Sequence, residues 1–430
     1  MMDIYKENRQ KNLLIYFIVG LILLFVLRDI VGVAINKYFF LFYCTIFMML
    51  GKHESIIYML CFMMPLFNGL PGTYILLVAL IVVIYKKKTL QKNAFIYIAV
   101  FAVLELIAAL WYPNFDIVEY IGYLVFISWF FILLYDKSEK KLDKCLECFF
   151  FGVAVFCLVV IISGLLTAPS NWLDLFAKGW FRFGETNAAG GDIMRLRGNS
   201  NELAYYSVAG VGVGLLILKW KEKTSKIFTC ILIGIIFVSG LLSLSRTFIV
   251  VMALVLALYI FSSLKSPKMF VAVAIMFTLI LLAISKYLIK YPDLLLGFTA
   301  RFSDSNMTTG GGRTTLSLQY LNSFFDMPRC FITGTGVTQY KDITGVYGSI
   351  HNMLIHVFVC YGFVFSIVFF VLMLKPLLGR KKTTVVSWLA LIGVGVFVQT
   401  IQFINPYALM LPYVIAVYAV KIDLKEMDKK

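Results

Sequence analysis

The chain has 430 residues, of which 61% are hydrophobic and 14% are charged, and its mean hydropathy is +0.89. Soluble domains are only about half apolar, so this composition excludes a soluble globular protein and predicts a polytopic membrane protein. The formal net charge of +16 does not indicate nucleic-acid binding, because the basic residues lie in short connections between apolar runs.

Fourteen apolar runs follow one another along the chain. Backbone groups in lipid must form hydrogen bonds within their own segment, so these runs predict helices. We expect an all-α fold with 12 to 14 transmembrane helices in a single domain, residues 1–430. Several of the first four runs are short, which favours bent or re-entrant helices there. The runs lie near residues 13–27, 38–50, 55–68, 71–85, 94–111, 117–135, 146–167, 203–219, 227–243, 247–264, 269–289, 352–374, 385–402 and 407–421.

Connections that carry lysine alternate with connections that contain little of it. Because positively charged loops stay on the cytoplasmic side, this alternation predicts that both termini are cytoplasmic. It also places two long polar loops outside, at residues 168–202 and at residues 291–351. The lysine-bearing connections are residues 86–92, 137–144, 219–226, 265–268 and 375–382.

Arginine and lysine are distributed differently in this topology. Only five of the 29 lysines fall outside, whereas eight of the ten arginines do. Because a guanidinium group binds phosphate or carboxylate oxygens through two parallel hydrogen bonds, this difference favours an anionic ligand at the outer face. Snorkelling towards lipid headgroups is the alternative. The external arginines are Arg28, Arg182, Arg195, Arg197, Arg246, Arg301, Arg313 and Arg329.

The loop at residues 168–202 ends in RLRGNSNE. Arg195 and Arg197 are two residues apart, so in an extended segment both side chains point the same way. Asn199 followed three residues later by Glu202 is typical of a helix N-terminus. A capped helix explains Asn199 and Glu202 but not the paired arginines, which we interpret as candidate ligand-binding residues.

Arg246, in SLSRTF, is the only charged residue between Lys226 and Lys265. As one helix, the interval 227–264 would be about 57 Å long, roughly twice the thickness of a bilayer, so it must fold back near its middle. Arg246 then lies at an outer turn. A charge near membrane depth is a functional candidate, and an ordinary boundary residue is the alternative.

The loop at residues 291–351 carries two further candidates. Gly310 to Gly312 precede Arg313, and apolar residues from Leu316 to Phe325 recur at helical spacing, which predicts a short amphipathic helix on the membrane surface. His351 follows, at the start of the next span. A helix N-terminus and nearby arginines disfavour the imidazolium ion, so we expect a neutral imidazole that can accept a proton. His356 points elsewhere on the helix and is interpreted as a packed residue.

Taken in order, these motifs resemble those of the O-antigen polymerase and ligase superfamily. The resemblance rests on RLRGNSNE at a helix start, SLSR at an outer turn, GGGR before a large external loop, then GTG, and HN at the next span. It covers about residues 185–375. Each motif is short, and the ordered set is what makes the resemblance specific.

The resemblance implies a fold like that of GT-C glycosyltransferases and a polysaccharide polymerase of the Wzy type. Such enzymes join oligosaccharide repeat units carried on undecaprenyl diphosphate, at the outer face of the bacterial cytoplasmic membrane, with no metal or other cofactor. Arg195 or Arg197, together with Arg246 and Arg313, would bind the donor diphosphate, and His351 would assist the acceptor hydroxyl. A flippase and a chain-length regulator are the implied protein partners.

Several alternatives stay open at this point. Four outer acids are candidate bases or sugar contacts, and external aromatics such as Tyr340 are candidate stacking surfaces for sugars. A ligase that passes glycan to a different acceptor would use similar residues. A glycolipid transporter would also place arginines in a cavity, but we expect it to show basic residues near mid-bilayer and an inverted repeat. The four acids are Asp116, Glu119, Glu185 and Asp192.

Overall fold

The computed structural model describes residues 2–87, 91–110, 116–135, 142–177, 181–184, 196, 199–263, 313–378, 383–401 and 409–422. Every regular element in these segments is a helix, so the predicted all-α class is confirmed. Thirteen of the fourteen predicted apolar runs contain a helix, and the run at residues 269–289 lies outside the described residues.

The described residues contain seventeen α-helices, which we number α1 to α17. The first eleven are α1 Met2–Phe25, α2 Lys37–Leu50, α3 His53–Met63, α4 Gly72–Lys87, α5 Lys92–Leu110, α6 Ile117–Leu134, α7 Leu142–Thr167, α8 Trp172–Ala177, α9 Ser200–Ile217, α10 Lys223–Leu242 and α11 Arg246–Ser263. The others are α12 Arg313–Phe325, α13 Cys330–Thr333, α14 Tyr340–Thr344, α15 Met353–Leu374, α16 Val385–Phe397 and α17 Leu411–Lys421. Short helices of other types extend four of them: a π-helix at Val26–Ile30, and 3-10 helices at Met64–Gly69, Lys375–Leu377 and Val398–Thr400.

Six of the described helices are long and apolar enough to cross a membrane, and five shorter apolar helices accompany them. The chain is therefore an all-helical protein suited to a lipid bilayer, while the expected 12 to 14 spans stay a prediction. The six segments are Arg9–Ile30, Lys92–Leu110, Ile117–Leu134, Leu142–Thr167, Lys223–Leu242 and Met353–Leu377.

The core surrounds α9, whose side chains are buried on almost every side. Glycines in α9 let neighbouring helices approach closely, as small residues do at helix contacts in membranes. A methyl group on Gly212 would lie 2.7 Å from the Cα atom of Ala390 in α16. One on Gly210 would lie 2.7 Å from a methyl carbon of Val153 in α7. α9 is therefore packed closely between α7 and α16, and this packing fixes the position of its first turn.

α15 is not continuous, because its backbone leaves the helical conformation at Gly362, with φ 70° and ψ 179°. A break in a membrane helix frees carbonyl groups that must find other donors. The N–H groups of Thr335 and Gly336 donate to the carbonyl oxygens of Val359 and Cys360, at 3.0 Å each. The GTG sequence therefore attaches the segment at residues 313–352 to the break in α15. The topology predicts that this segment lies outside the membrane, and we call it the external segment.

Glycine is needed on both sides of this junction. Gly334 has φ 74°, as unusual for an L-residue with a side chain as the φ of Gly362. A methyl group on Gly334 would also collide with the carbonyl group of Cys360. The backbone conformation and the close approach of the two segments thus both require this residue type.

A buried carboxyl group on α5 holds the residues that follow the junction. Glu105 is 2% exposed, and its oxygens accept hydrogen bonds from the Val337 N–H at 2.7 Å and the Thr338 N–H at 2.8 Å. The Thr338 hydroxyl donates a third hydrogen bond to the same group at 2.6 Å. An acidic group inside an apolar helix is costly unless it is paired, so Glu105 and the external segment stabilise each other.

We expect Glu105→Gln to loosen this attachment. The amide keeps one acceptor oxygen but turns donor hydrogens towards a backbone N–H group, which leaves a buried donor unpaired at a cost of about 1–3 kcal/mol. The variant should unfold at a lower temperature in detergent micelles, and the amides of residues 334–340 should exchange with deuterium faster.

Thr338→Val is the matched control, because it removes the hydroxyl hydrogen bond and keeps both backbone hydrogen bonds. Its loss of stability should be about 1 kcal/mol and smaller than that of Glu105→Gln. Wild-type exchange rates at residues 334–340 in Glu105→Gln would contradict the attachment.

Candidate functional site

Arg246 is the first residue of α11, and α10 ends at Leu242. The prediction that the interval 227–264 folds back near its middle is therefore confirmed. The turn is tight, because Leu244 has φ 51°, a conformation that costs energy for a residue with a side chain. The Ser243 hydroxyl donates to the carbonyl oxygen of Gly240 at 2.6 Å and accepts from the Ser245 N–H at 3.3 Å. These contacts hold Arg246 at the end of the helix pair.

Arg313 is the first residue of α12, so the helix predicted from the spacing of Leu316 to Phe325 is confirmed. Tyr320 and Phe324 are buried on the inner face of α12. The guanidinium Nη1 of Arg313 donates to the carbonyl oxygen of Thr400 at 3.3 Å, at the C-terminal end of the helix that follows α16. This carbonyl anchors Arg313 beside the bundle.

The two arginines lie close enough to repel each other. Burial and the positive charge of Arg246 both lower the pKa of Arg313. Among the described residues, no carboxylate forms an ion pair with Arg313. Two guanidinium groups brought together in this way are a poor arrangement alone and a good one around an anion with several oxygens, because each can donate two hydrogen bonds to it.

His351 lies next to Arg313, immediately before α15. Burial and the charge of Arg313 lower the pKa of His351 to about 4, so its imidazole is neutral at physiological pH. The expected neutral histidine at a helix start is thus found, with burial as the larger cause. Asn352 caps α15, since its side-chain oxygen accepts from the Ile355 N–H at 3.0 Å. Among the described residues, the buried Nδ1 atom of His351 has no hydrogen-bond partner, and we interpret Nε2 as the ring nitrogen that can reach a ligand.

These three neighbouring side chains mark the starts of three helices. α11 begins at Arg246, α12 at Arg313 and α15 just after His351. The N-terminus of a helix presents unpaired N–H groups and a partial positive charge. Added to two guanidinium groups, these ends make a strongly electropositive region. The arrangement suits a polyanion such as a diphosphate, with a neutral imidazole beside it.

The first turn of α9 reaches the same region. Asn199 is its N-cap residue, with a side chain that accepts from the Asn201 N–H at 2.7 Å, and the Glu202 carboxylate accepts from the Asn199 N–H. The predicted helix start is therefore confirmed. The Ser245 hydroxyl contacts the side-chain oxygen of Asn201 at 3.4 Å, which joins α9 to the turn before Arg246. The sequence patterns did not reveal this contact, because nothing local pairs two residues 44 positions apart.

A second polar network also contacts the first turn of α9. Arg28 and Asp29, on the π-helix after α1, form an ion pair at 2.7 Å, and Arg28 also donates to the carbonyl oxygen of Gly69 at 2.6 Å. Asp29 accepts from the N–H of Leu196, the residue between Arg195 and Arg197 in the sequence, at 3.0 Å. Asn68 donates a hydrogen bond to Glu202. The network attaches the end of the external loop to the first half of the chain.

The prediction that Arg28 contributes to an anionic-ligand site is wrong. Arg28 was counted among the external arginines that favour an anionic ligand, but it is fully buried and its charge is paired with Asp29. Its guanidinium carbon also lies 4.6 Å from the centre of the Phe40 ring, a cation–π distance. Arg28 is therefore a structural residue.

The other predicted residues are placed less directly. Asp116 caps α6 by accepting from the Val118 N–H at 2.7 Å, which explains that residue without a catalytic role. Glu119 is exposed in the first turn of α6. No described contact joins either acid to Arg313 or His351. Arg195, Arg197, Glu185 and Asp192 lie outside the described residues.

Tyr340 also differs from expectation. It is 1% exposed, and its ring packs against Tyr320 and against the edge of His356, with centroid distances of 5.5 and 5.2 Å. A ring enclosed in this way cannot stack on a sugar. Its role is to support the segment that ends at His351.

No family model matches this chain, and no curated protein sequence is significantly similar to it. The resemblance to the O-antigen polymerase and ligase superfamily therefore rests on the short ordered motifs alone. The proximity of Arg246, Arg313 and His351 is observed independently of that resemblance.

We expect the protonation of His351 to report on the charge around it. In wild-type protein the imidazole should stay neutral down to about pH 4, because burial and Arg313 both disfavour the charged form. Arg313→Gln removes one of these causes and should raise the pKa of His351, though not above the ordinary value near 6.5, since burial remains. The measurement is the ring ¹⁵N chemical shift of labelled histidine in nanodiscs between pH 4 and pH 8.

Inorganic pyrophosphate should act in the same direction, because bound negative charge opposes that of Arg313. Arg329→Gln, at an exposed arginine elsewhere in the external segment, is the matched control and should leave the titration unchanged. An identical His351 titration in Arg313→Gln and wild type would show that the two groups are not in electrostatic contact.

Proposed function

We propose that this chain is a membrane polysaccharide polymerase that joins oligosaccharide repeat units carried on undecaprenyl diphosphate. The observation that carries the proposal is the meeting of Arg246 and Arg313, each at the start of a helix, beside the neutral imidazole of His351. A glycosyl transfer from a lipid diphosphate needs these elements, an anion site for the leaving group and a base for the acceptor.

Arg246 and Arg313 bind the donor diphosphate in this proposal. When the bond to the sugar breaks, negative charge builds up on the diphosphate, and preorganised guanidinium and helix N–H groups stabilise it most strongly at that moment. Diphosphate is a good leaving group once it is stabilised, so no general acid is needed. Arg195 or Arg197 would add to this site, given that the backbone of Leu196 is held by Asp29.

His351 takes the proton of the acceptor hydroxyl. The hydroxyl oxygen attacks the anomeric carbon of the donor sugar, the bond from that carbon to the diphosphate oxygen breaks, and the diphosphate leaves with the bonding electrons. The proton passes to the Nε2 atom of His351. One new glycosidic bond and one lipid diphosphate result, so the atoms and charges balance without a metal or a second cofactor.

The low pKa of His351 in the protein without donor implies that the donor binds before the acceptor hydroxyl loses its proton. An imidazole with a pKa of about 4 is neutral but weakly basic, and a general base works best when its pKa is near the working pH. A bound diphosphate neutralises the arginine charge that lowers this pKa. Donor binding therefore raises the basicity of His351, and the base is active only when the leaving group is in place.

The proposed location follows from the alternation of charged connections. Arg246, Arg313 and His351 lie where the topology puts the outer face, so the reaction takes place outside the bacterial cytoplasmic membrane with both termini in the cytoplasm. Substrate reaches that face from inside, so a flippase is a natural partner, and a chain-length regulator would act on the product.

The test is elongation of a lipid-linked repeat unit by the purified protein in proteoliposomes. Wild-type protein should convert an undecaprenyl-diphosphate-linked repeat unit into a ladder of longer lipid-linked glycans. Arg313→Gln and His351→Gln should each reduce the rate at least about 100-fold, because each removes a group that acts in the transition state. Arg313→Lys should recover only part of the rate, since a point charge cannot replace a bidentate donor.

Arg329→Gln is the control, an external arginine outside the proposed site, and should form the wild-type ladder. Unchanged ladders in both Arg313→Gln and His351→Gln, with protein that is folded and abundant, would overturn the site assignment. Glycan found only on a different acceptor would indicate a ligase. Movement of lipid across the vesicle without a new glycosidic bond would indicate a transporter.

A further inference from the structure

His356 follows His351 by five residues in the chain, and its environment is unusual for a histidine. It lies in the first turns of α15 and is fully buried. Within the part of the chain that the structure describes, neither of its ring nitrogens has a hydrogen-bond partner. Its backbone N–H donates to the carbonyl oxygen of Asn352 at 2.9 Å, so its position in the helix is regular and only its side chain is unsatisfied.

The surroundings of His356 connect it to His351. The two imidazole rings lie close enough to interact electrostatically, and Lys341 is the other charged neighbour. The ring of Tyr340 packs edge-to-face on His356 at 5.2 Å. The Tyr340 oxygen in turn accepts from the Ile350 N–H, immediately before His351 in the chain.

A packing role alone does not explain a histidine here. A buried imidazole with two unpaired nitrogens is costly, and an aliphatic side chain of similar size would fill the same space without that cost. Gln339, 4% exposed and adjacent to Tyr340, also has both amide atoms unpaired. Buried polar groups that lack protein partners are usually satisfied by ordered water, which needs two or more polar partners in a confined space.

His351 has a matching requirement. Its Nδ1 atom is buried without a partner. A histidine accepts a proton at Nε2 only when Nδ1 carries the hydrogen, and that tautomer is normally fixed by an acceptor for the Nδ1–H group. The unpaired nitrogens of His356 can provide it through a bridging water, because the two rings lie within electrostatic range of each other.

We propose that His356 is a positioning residue for His351, linked to its Nδ1 atom through a bridging water. The link keeps the hydrogen on Nδ1 and presents the lone pair of Nε2 to the acceptor hydroxyl. The catalytic consequence rests on the proposed function, but the effect on the His351 tautomer does not.

The chain contains only three histidines, which makes the tautomer directly measurable. Ring ¹⁵N spectra of histidine-labelled protein in nanodiscs at pH 7 separate the two tautomers, and single substitutions assign the signals. His53, at the start of α3, serves as the internal reference. Wild-type protein should show His351 predominantly with the hydrogen on Nδ1.

Two variants distinguish positioning from packing. His356→Leu removes both nitrogens and keeps a similar volume, and it should shift His351 towards a mixture of tautomers. In the elongation assay it should lower kcat by about tenfold with the KM for the donor unchanged, a size typical of groups that orient a functional histidine. His356→Gln keeps polar atoms in the same space and should restore much of both signals.

An unchanged His351 tautomer in a folded His356→Leu protein would overturn the proposal, whatever its effect on rate. Equal loss in His356→Gln and His356→Leu would do the same, because a purely structural residue would not be rescued by polarity. If His351→Gln leaves elongation unchanged while His356→Leu still shifts the tautomer, the link between the histidines is supported and the proposed function is what fails.

Discussion

The break in α15 at Gly362 is the feature on which the site depends. Unpaired backbone groups in a bilayer cost several kcal/mol each, so a helix can be broken there only when another segment supplies donors. The GTG segment supplies them, and Glu105 then binds the next two backbone N–H groups. The segment at residues 313–352 is thereby held against the helical bundle. Arg313 at its beginning and His351 at its end are brought together as a result.

The charges at the helix ends are arranged as the proposed anion site requires. Arg246 and Arg313 repel each other, both stand at the positive ends of helices, and Leu244 is held in a strained conformation beside them. Local choices that oppose stability in this way are expected at functional sites, where the ligand or the surrounding structure offsets them. Burial and the charge of Arg313 keep His351 neutral, so in the proposed function one arrangement would serve both the leaving group and the base.

Much of this architecture could be predicted from the sequence because it depends on local patterns. Asn199 and Glu202 set the start of α9, the length of the interval 227–264 requires a turn near Arg246, and the spacing after Arg313 defines α12. The partners of buried polar groups could not be predicted. Glu105 contacts residues 232 and 233 positions away, and a lone acid in an apolar run does not reveal its donors. The burial of Arg28 could not be predicted either, because the contacts that enclose it include the carbonyl group of Gly69, 41 positions away.

The first half of the chain therefore has a role that its sequence does not suggest. Its helices lack distinctive motifs, yet Asp29 and Asn68 hold the end of one external loop, and Glu105 holds the other. Asp29 and Glu105 bind backbone N–H groups, whereas Asn68 binds the side chain of Glu202 in the first turn of α9. The proposed glycosyl transfer needs particular side chains at only a few helix ends. The supporting helices need to be apolar and long enough, with a polar residue only at Asp29, Asn68 and Glu105. The short motifs of residues 185–375 therefore mark helix ends, while the contacts that hold these ends come from single polar residues in otherwise apolar helices.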